Sequence, residues 1–368
     1  SAASYVYKRQ FKNLLGYYNS IEYCFKAIKE SDFMKNDALR RREHEAVRSG
    51  VGYYDFTHQV LDVKGKDAAD FLDKVFVNDI KNMKDTHALY TTMLNEEGKI
   101  IDDVIVFRLE ADKFLISTLY IDKMIEWFDK FKNGFDVEYK NITDKLTMFA
   151  IQGPKSKELV NKIVDKDISD LKFFTIEDNS LGNLDLMIAR AGFTGELGYE
   201  LYVESDKKDI LEEKIKEAGK EFGLVNITTD VIIGSLPGEK GYVLMSDLEG
   251  ANPLEVGYGW TVAWGSDFIG KEALLKAKEN VTRDLFGFEL LEDGQVEAGD
   301  EVLLDGKKIG RVTKFTYGYT VEKFIGYCMI EKDKAVEGKK VEIKTKAGSL
   351  EARLCDRVFY DKGNERVR

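Results

Sequence analysis

Hydrophobic and polar positions along this chain alternate between the strand period and the helix period. Residues 51–64 read as strand, with Val60-Leu-Asp-Val63 alternating. Residues 67–76 place Ala68, Phe71, Leu72 and Val75 on one face of a short helix. Residues 88–94 form a strand leading into a turn at 95–98, where Gly98 is free to take positive φ. The β-branched and aromatic run Val104, Ile105, Val106, Phe107 follows as the returning strand. A strand at 114–119 comes next, then a helix at 122–132 with Met124, Trp127, Phe128 and Phe131 on its apolar side. A second set repeats the theme: strand 146–152, helix 155–164, strands 186–190 and 199–203 around a Gly-rich turn, and helix 207–222. Upstream, residues 17–49 are rich in helix formers, and the helical signal stops at Ser49-Gly50.

The pattern changes near Asn280. Beyond it only short strands with turn signals occur, at 286–290, 302–304, 308–314, 325–330, 341–346 and 352–358, with Asp305-Gly306 as a hairpin turn. This is a small all-β barrel or sandwich. Strands and helices alternate before it, but the hairpins demand antiparallel pairing, so the class is α+β. Three segments result: 1–50, a helical N-terminal segment; 51–280, two α+β subdomains; 281–368, the C-terminal β-barrel.

Composition narrows the function. Hydrophobic residues make up 43% and charged residues 33% of 368 positions, as in a globular protein with a large core. No apolar run is long enough to span a bilayer and no signal-peptide pattern is present, so no membrane association and a cytoplasmic setting are expected. The net charge of −11, with acids and bases interspersed, argues against nucleic-acid binding. Cys24, Cys328 and Cys355 lie far apart, and His44, His58 and His87 form no close pair, so no metal site is expected. Neither a Rossmann nor a P-loop glycine pattern occurs.

Between the turn at 95–98 and its strand stand two adjacent carboxylates, Asp102 and Asp103. Neighbours on a strand point to opposite faces, so one can face a cleft while the other faces core or solvent. A carboxyl at the mouth of an apolar strand can have a raised pKa and act as acid, base or hydrogen-bond partner. An ordinary solvated acidic turn is the alternative.

Six stretches, in order, resemble one family: Tyr54-Asp-Phe-Thr-His58; the run from Ala88-Leu-Tyr-Thr-Thr-Met-Leu through Asp103; Ala150-Ile-Gln-Gly-Pro154; Gly192-Phe-Thr-Gly-Glu-Leu-Gly-Tyr-Glu200; Asn252-Pro-Leu-Glu-Val-Gly-Tyr-Gly-Trp260; and Asp267-Phe-Ile-Gly-Lys-Glu272. Their order and spacing are similar to the aminomethyltransferase (glycine-cleavage T-protein) superfamily, which also holds tetrahydrofolate-dependent demethylases. The resemblance implies a three-domain cloverleaf with antiparallel sheets around a folate channel, its last domain the small barrel. It implies tetrahydrofolate as cofactor, Asp103 as the catalytic aspartate near the one-carbon centre of the folate, and Glu200 as the pterin anchor. It also places Tyr90, Phe193 and Trp260 at aromatic wall positions. Core packing is the alternative for Tyr90 and Trp260.

The departures from the family pattern are as informative. T-proteins carry a Met-Val-Pro-Phe-Ala-Gly-Trp-like segment, and nothing similar stands at 17–35. Their Ala-Arg-Asp-Ser-Leu-Arg-Leu-Glu-Ala-Gly stretch becomes Ile232-Ile-Gly-Ser-Leu-Pro-Gly-Glu-Lys-Gly241, so the two arginines become Ile233 and Pro237. Their Asn-containing segment is missing, and Thr118-Leu-Tyr120 stands nearby. An arginine suits an anionic partner and an isoleucine an apolar one. The expected function is therefore methyl transfer from a small O-, S- or N-methyl donor to tetrahydrofolate, with Tyr120 and Ile233 on the substrate side. The alternatives are aminomethyl transfer from a lipoylated carrier protein and a folate-binding module without turnover. Monomer and dimer both remain open.

Overall fold

Three sheets, each following from the alternating stretches above, carry the architecture. The computed structural model describes residues 34–367. The part of the expected N-terminal helix at 17–33 lies outside the described residues. The remainder is α1, Ala38–Ser49, whose Asp37 side chain accepts the Leu39 and Arg40 N–H groups at 3.0 Å.

The first sheet is built from β1 (Gly52–Asp55), β7 (Leu146–Gln152), β8 (Ile176–Leu181), β9 (Leu184–Ala189), β10 (Gly198–Glu204) and β11 (Val225–Asn226). Its order is β11-β1-β7-β10-β9-β8, antiparallel except for the β1–β11 pair. The second is built from β2 (Gln59–Lys64), β3 (His87–Leu94), β4 (Ile100–Glu110), β5 (Lys113–Thr118) and β6 (Glu138–Asn141), in the order β3-β4-β5-β2-β6. The sequence reading took 51–64 as one strand; the structure corrects this. Phe56 N–H donates to the Met148 carbonyl at 3.0 Å, and Thr57 Oγ1 donates to Asp55 Oδ1 at 2.7 Å. That turn sends the chain from the first sheet to the second, a switch that alternation cannot reveal.

Each sheet buries its outer face under helices. Helices α2 (Ala68–Val75) and α3 (Ile121–Phe131) supply Phe71, Leu72, Met124 and Phe128 to a cluster with Val104, Val106 and Ile116 of the second sheet. Helices α4 (Ser156–Ile163) and α5 (Lys208–Gly219) cover Phe149, Ile151, Tyr199 and Leu201 of the first. The inner faces meet each other. Val60, Ala88, Phe107 and Leu115 pack on Met148, Ala150, Ala189 and Tyr202, with the Phe107 and Tyr202 rings edge to face at 5.7 Å.

Downstream, a π-helical turn at Asp230–Ser235 runs directly into α6 (Leu236–Lys240). Pro237 has no N–H to offer and its ring crowds the preceding turn, a combination that a widened turn relieves. Helices α7 (Met245–Leu248) and α8 (Lys271–Glu279) then lead to a closed barrel. Its strands are β12 (Arg283–Leu290), β13 (Glu301–Leu304), β14 (Lys307–Gly318), β15 (Lys323–Glu331), β16 (Lys340–Thr345) and β17 (Gly348–Cys355), in the order β12-β15-β14-β13-β16-β17. The expected α+β class with a C-terminal barrel is what the structure has.

The barrel is held to the rest by buried charge. Glu239 of α6 is fully buried, and its Oε2 accepts from Arg48 Nη2 at 3.0 Å and lies 3.2 Å from His44 Nε2. Its Oε1 accepts the Thr320 N–H at 2.7 Å, from the loop between β14 and β15. Its carbonyl accepts the N–H groups of Phe359 and Tyr360 in the C-terminal tail. Burial pushes the Glu239 carboxyl up, but His44, Arg48 and Thr320 outweigh it and bring it down to about 2. Next to it the buried Lys240 ammonium donates to the Asp361 carboxylate at 2.8 Å.

A depressed carboxyl stabilises the fold above its unfolded pKa and loses that contribution as pH falls through the folded value. Glu239→Gln is therefore expected to destabilise the chain by about 3–5 kcal/mol near pH 7. The gap to wild type should narrow as pH falls from 4.5 toward 2, read by denaturant unfolding at several pH values. A gap independent of pH would contradict the assignment.

Candidate active site

Asp102 and Asp103 take opposite faces of β4. Asp102 turns to the helix-covered side and is 1% exposed. Its Oδ2 accepts the Thr118 hydroxyl at 2.6 Å and its Oδ1 the Asp103 N–H at 2.9 Å. Asp103 turns to the inner face, half-buried, and its Oδ2 accepts the Tyr90 hydroxyl at 3.1 Å. That contact follows from register. Tyr90 pairs with Ile105 and Thr92 with Asp103, so Tyr90 and Asp103 are diagonal neighbours on one face. Burial pushes Asp103 up to about 6, against the Tyr90 bond and with the added charge of Asp247. Burial pushes Asp102 up to about 7.

Glu200 faces this wall from the other sheet. It pairs with Ala150 on one side and Ala189 on the other, and Ala150 in turn pairs with Tyr54. Two alanines beside a carboxylate leave room that larger side chains would fill. Glu200 is 9% exposed, and its Oε2 accepts the Tyr202 hydroxyl at 2.9 Å. Its Oε1 has no hydrogen-bond partner among the described residues. Burial pushes it up to about 7. The Gly-rich turn before it is required by packing. A Cβ at Gly192 or Gly198 would lie 2.0 or 2.3 Å from the Gln152 side chain, which runs between them and bonds the Ala191 carbonyl and Thr194 hydroxyl.

The other expected residues are distributed unevenly. The Phe193 ring stacks on Tyr242 with centroids 5.5 Å apart. Trp260 is 73% exposed and stands at the rim. Its inner neighbour Tyr258 is the ring that closes on Tyr90, at 5.3 Å edge to face, with the Arg357 guanidinium 5.6 Å over its other side. Tyr258 and Tyr242 were missed, though Tyr258 lies inside one of the quoted motifs and Tyr242 directly follows another. Tyr120 caps α3, its N–H donating to the same Thr118 hydroxyl that holds Asp102. It therefore lies beside Asp102 in the chain of contacts rather than on Asp103. Ile233 stands in the π-helical turn, packed in an apolar cluster with Tyr54, Phe56 and Val47. His58, also from a quoted motif, is lowered by burial to about 4 and meets Ser117 Oγ at 2.8 Å. Among the described residues no cluster of His, Cys, Asp and Glu could hold a metal ion, and no helix is long and apolar enough to cross a membrane.

Two raised carboxyls on the inner faces of two packed sheets, with tyrosines against them, give the chain a candidate acid–base site. The family of the chain follows from the comparisons. The family model described as the GCVT N-terminal domain matches residues 7–266, and the glycine cleavage T-protein C-terminal barrel domain matches 283–361. The chain belongs to the glycine-cleavage T-protein family. It is 37% identical over 328 residues to an aminomethyltransferase of Caldanaerobacter subterraneus subsp. tengcongensis, covering 87% of each chain. It is 39% identical over 329 residues to one of Clostridium botulinum (strain 657 / Type Ba4), covering 87% of this chain and 89% of that one. The crystal structure of glycine cleavage system aminomethyltransferase T from Bartonella henselae superposes with a TM-score of 0.80 at 22% identity, covering 88% of this chain and 90% of that one, which shows a shared fold. These relatives bear the aminomethyltransferase name, and the expected priority of a demethylase gives way to its alternative.

A carboxyl raised in the folded state contributes stability below its unfolded pKa and loses it as pH rises through the folded value. For Asp102 that window runs from 3.8 to about 7. Asp102→Asn should therefore gain about 2–4 kcal/mol relative to wild type between pH 5 and pH 8. Urea unfolding at both pH values reads the difference, and an equal effect at both would refute the shift.

Proposed function

We propose that this chain transfers a one-carbon unit of the aminomethyl type to tetrahydrofolate, receiving it from a lipoylated carrier protein. The observation that carries the reading is the facing pair Asp103 and Glu200, in a chain 37% identical to an aminomethyltransferase. The site suits the cofactor on its own geometry. Glu200 offers a carboxylate whose Oε2 takes the Tyr202 hydroxyl and whose neighbours on both adjacent strands are alanines, leaving an acceptor edge for an N–H-bearing flat ring. Tetrahydrofolate, when bound, supplies the nitrogen nucleophile that accepts the one-carbon unit. Glu200 holds and orients the ring. Tyr90, Tyr258, Phe193 and Tyr242 exclude water around it. Asp103, poised at about 6, gives a proton to a departing amine and takes one back near neutral pH. Most of the acceleration comes from holding two partners in register.

Glu200→Ala should weaken tetrahydrofolate binding by about 2–4 kcal/mol, the loss of a charge-assisted bond pair. Asp103→Asn should keep the affinity and lose most turnover. Calorimetry beside steady-state rates separates the two roles. Unchanged affinity in the first variant, or unchanged turnover in the second, removes that residue's role.

A second reading, methyl transfer from a small donor, is favoured by Ile233 and Pro237 standing where T-proteins carry arginines. Ile233 lies in an apolar cluster with Tyr54, the row neighbour of Glu200. Mass spectrometry of the folate product decides between them. Aminomethyl-lipoyl carrier should yield 5,10-methylene-tetrahydrofolate with ammonia. Formation of 5-methyl-tetrahydrofolate from methoxybenzoates, sulfonium compounds or N-methyl amines, with the carrier inert, would overturn the first reading.

A further inference from the structure

Two buried ionisable side chains near the site, Lys314 and Asp247, have no place in the chemistry above. Lys314 rises from β14, and its Nζ is buried without a hydrogen-bond partner among the described residues. Its chain runs through space left by Gly238, where a Cβ would lie 3.7 Å from Lys314 Cε and 2.9 Å from Thr316 Cγ2. The ammonium stands 5.4 Å from the Tyr327 ring centre. Asp247 of α7 is 2% exposed. Its Oδ2 accepts the Leu244 N–H at 2.9 Å, while its Oδ1 is buried and unpartnered.

The short helix α7 joins these charges to Asp103. It packs on β4, the Asp103 strand, and on β14, the Lys314 strand. Its Leu248 shares an apolar cluster with Ile100 of β4 and Tyr327 of β15. A lone buried ammonium and a half-satisfied buried carboxylate are each costly unless they compensate one another. In low dielectric, charges that do not touch still act on one another strongly.

We propose that Lys314 and Asp247 are positioning residues, through which the barrel's lysine charge, relayed by Asp247 on α7, sets the pH at which Asp103 exchanges its proton. This rests on the catalytic role given to Asp103 above. Around Asp247 the titratable groups are Asp103 from β4, Lys314 from β14 and Tyr327 from β15. Around Asp103 they are Tyr90 from β3, Asp102 from its own strand, Tyr258 from the loop before the barrel, and Asp247. Burial lowers Lys314 and the Asp247 charge opposes that, while the same Asp247 charge raises Asp103. A protonated Lys314 offsets the Asp247 field and keeps Asp103 from rising further.

The test is a carboxyl ¹³C NMR titration of Asp103 in the full chain, its signal assigned by disappearance in Asp103→Asn. Lys314→Met should raise the Asp103 midpoint by about 0.5–1 pH unit, and Asp247→Asn should lower it by a similar amount. Lys314→Arg should return it toward wild type. In the Lys314→Met/Asp247→Asn double variant the effect of Lys314→Met should largely vanish. The acid limb of kcat/KM should move with the midpoint. Lys314→Gln repeats the measurement if the methionine variant does not fold. An unmoved midpoint in a folded lysine variant, or a shift that persists undiminished without Asp247, overturns the proposal. The titration needs no turnover, so turnover that survives Asp103→Asn would count against the proposed function and not against this coupling.

Discussion

The buried carboxylate of Glu239 binds elements that are far apart in the chain. Arg48 and His44 come from α1, Thr320 from the barrel, and Phe359 and Tyr360 from the tail, and all of them terminate on this one residue. The side-chain carboxylate takes Arg48, His44 and Thr320, the main-chain carbonyl takes Phe359 and Tyr360, and a missing partner of the carboxylate leaves charge uncompensated in low dielectric. The arrangement ties α1, the barrel and the C-terminal tail to α6. It positions the barrel against the two sheets, and with it Tyr258, which the segment leading into the barrel delivers to Tyr90.

With the barrel seated, the site is a consequence of two sheets turned face to face. Their shared layer is apolar at its centre, where Phe107 meets Tyr202, and the carboxyls of Asp103 and Glu200 stand on its walls. Asp103, Asp102 and Glu200 are all raised by the same cause, burial without a cation close enough to pair. The contrast with Glu239 is instructive. Burial pushes both carboxyls up, yet one lies at about 2 and the other at about 7, and the difference is Arg48, His44 and Thr320 at one and only a tyrosine hydroxyl at the other.

Much of the fold was legible because it depends on local period. The helix at 67–76 and the strand at 146–152 appear within a residue or two of their expected bounds, and the C-terminal strands close into the expected barrel. The switch of sheets at residues 56–58, the π-helical turn before Pro237 and the short α7 were not legible. Each is decided by partners distant in sequence or by a missing backbone donor. Trp260 and Tyr258 show the same limit: two aromatic residues apart, one belongs to the rim and one to the wall, and only packing chooses.

What the sequence determined by itself was which residues share a strand face. A period of two forces Asp102 and Asp103 apart, and the glycines at 192 and 198 mark a crossing that only a bare backbone can make. The motifs likewise carried the family. What tertiary structure alone decided was which face meets which. Cross-strand register brought the Tyr90 hydroxyl to Asp103, alanines from two neighbouring strands made room beside Glu200, and barrel docking packed β14 on α7. These are contacts between residues tens to hundreds of positions apart. They arise when separate apolar faces are buried against each other, and no local pattern encodes which faces those are.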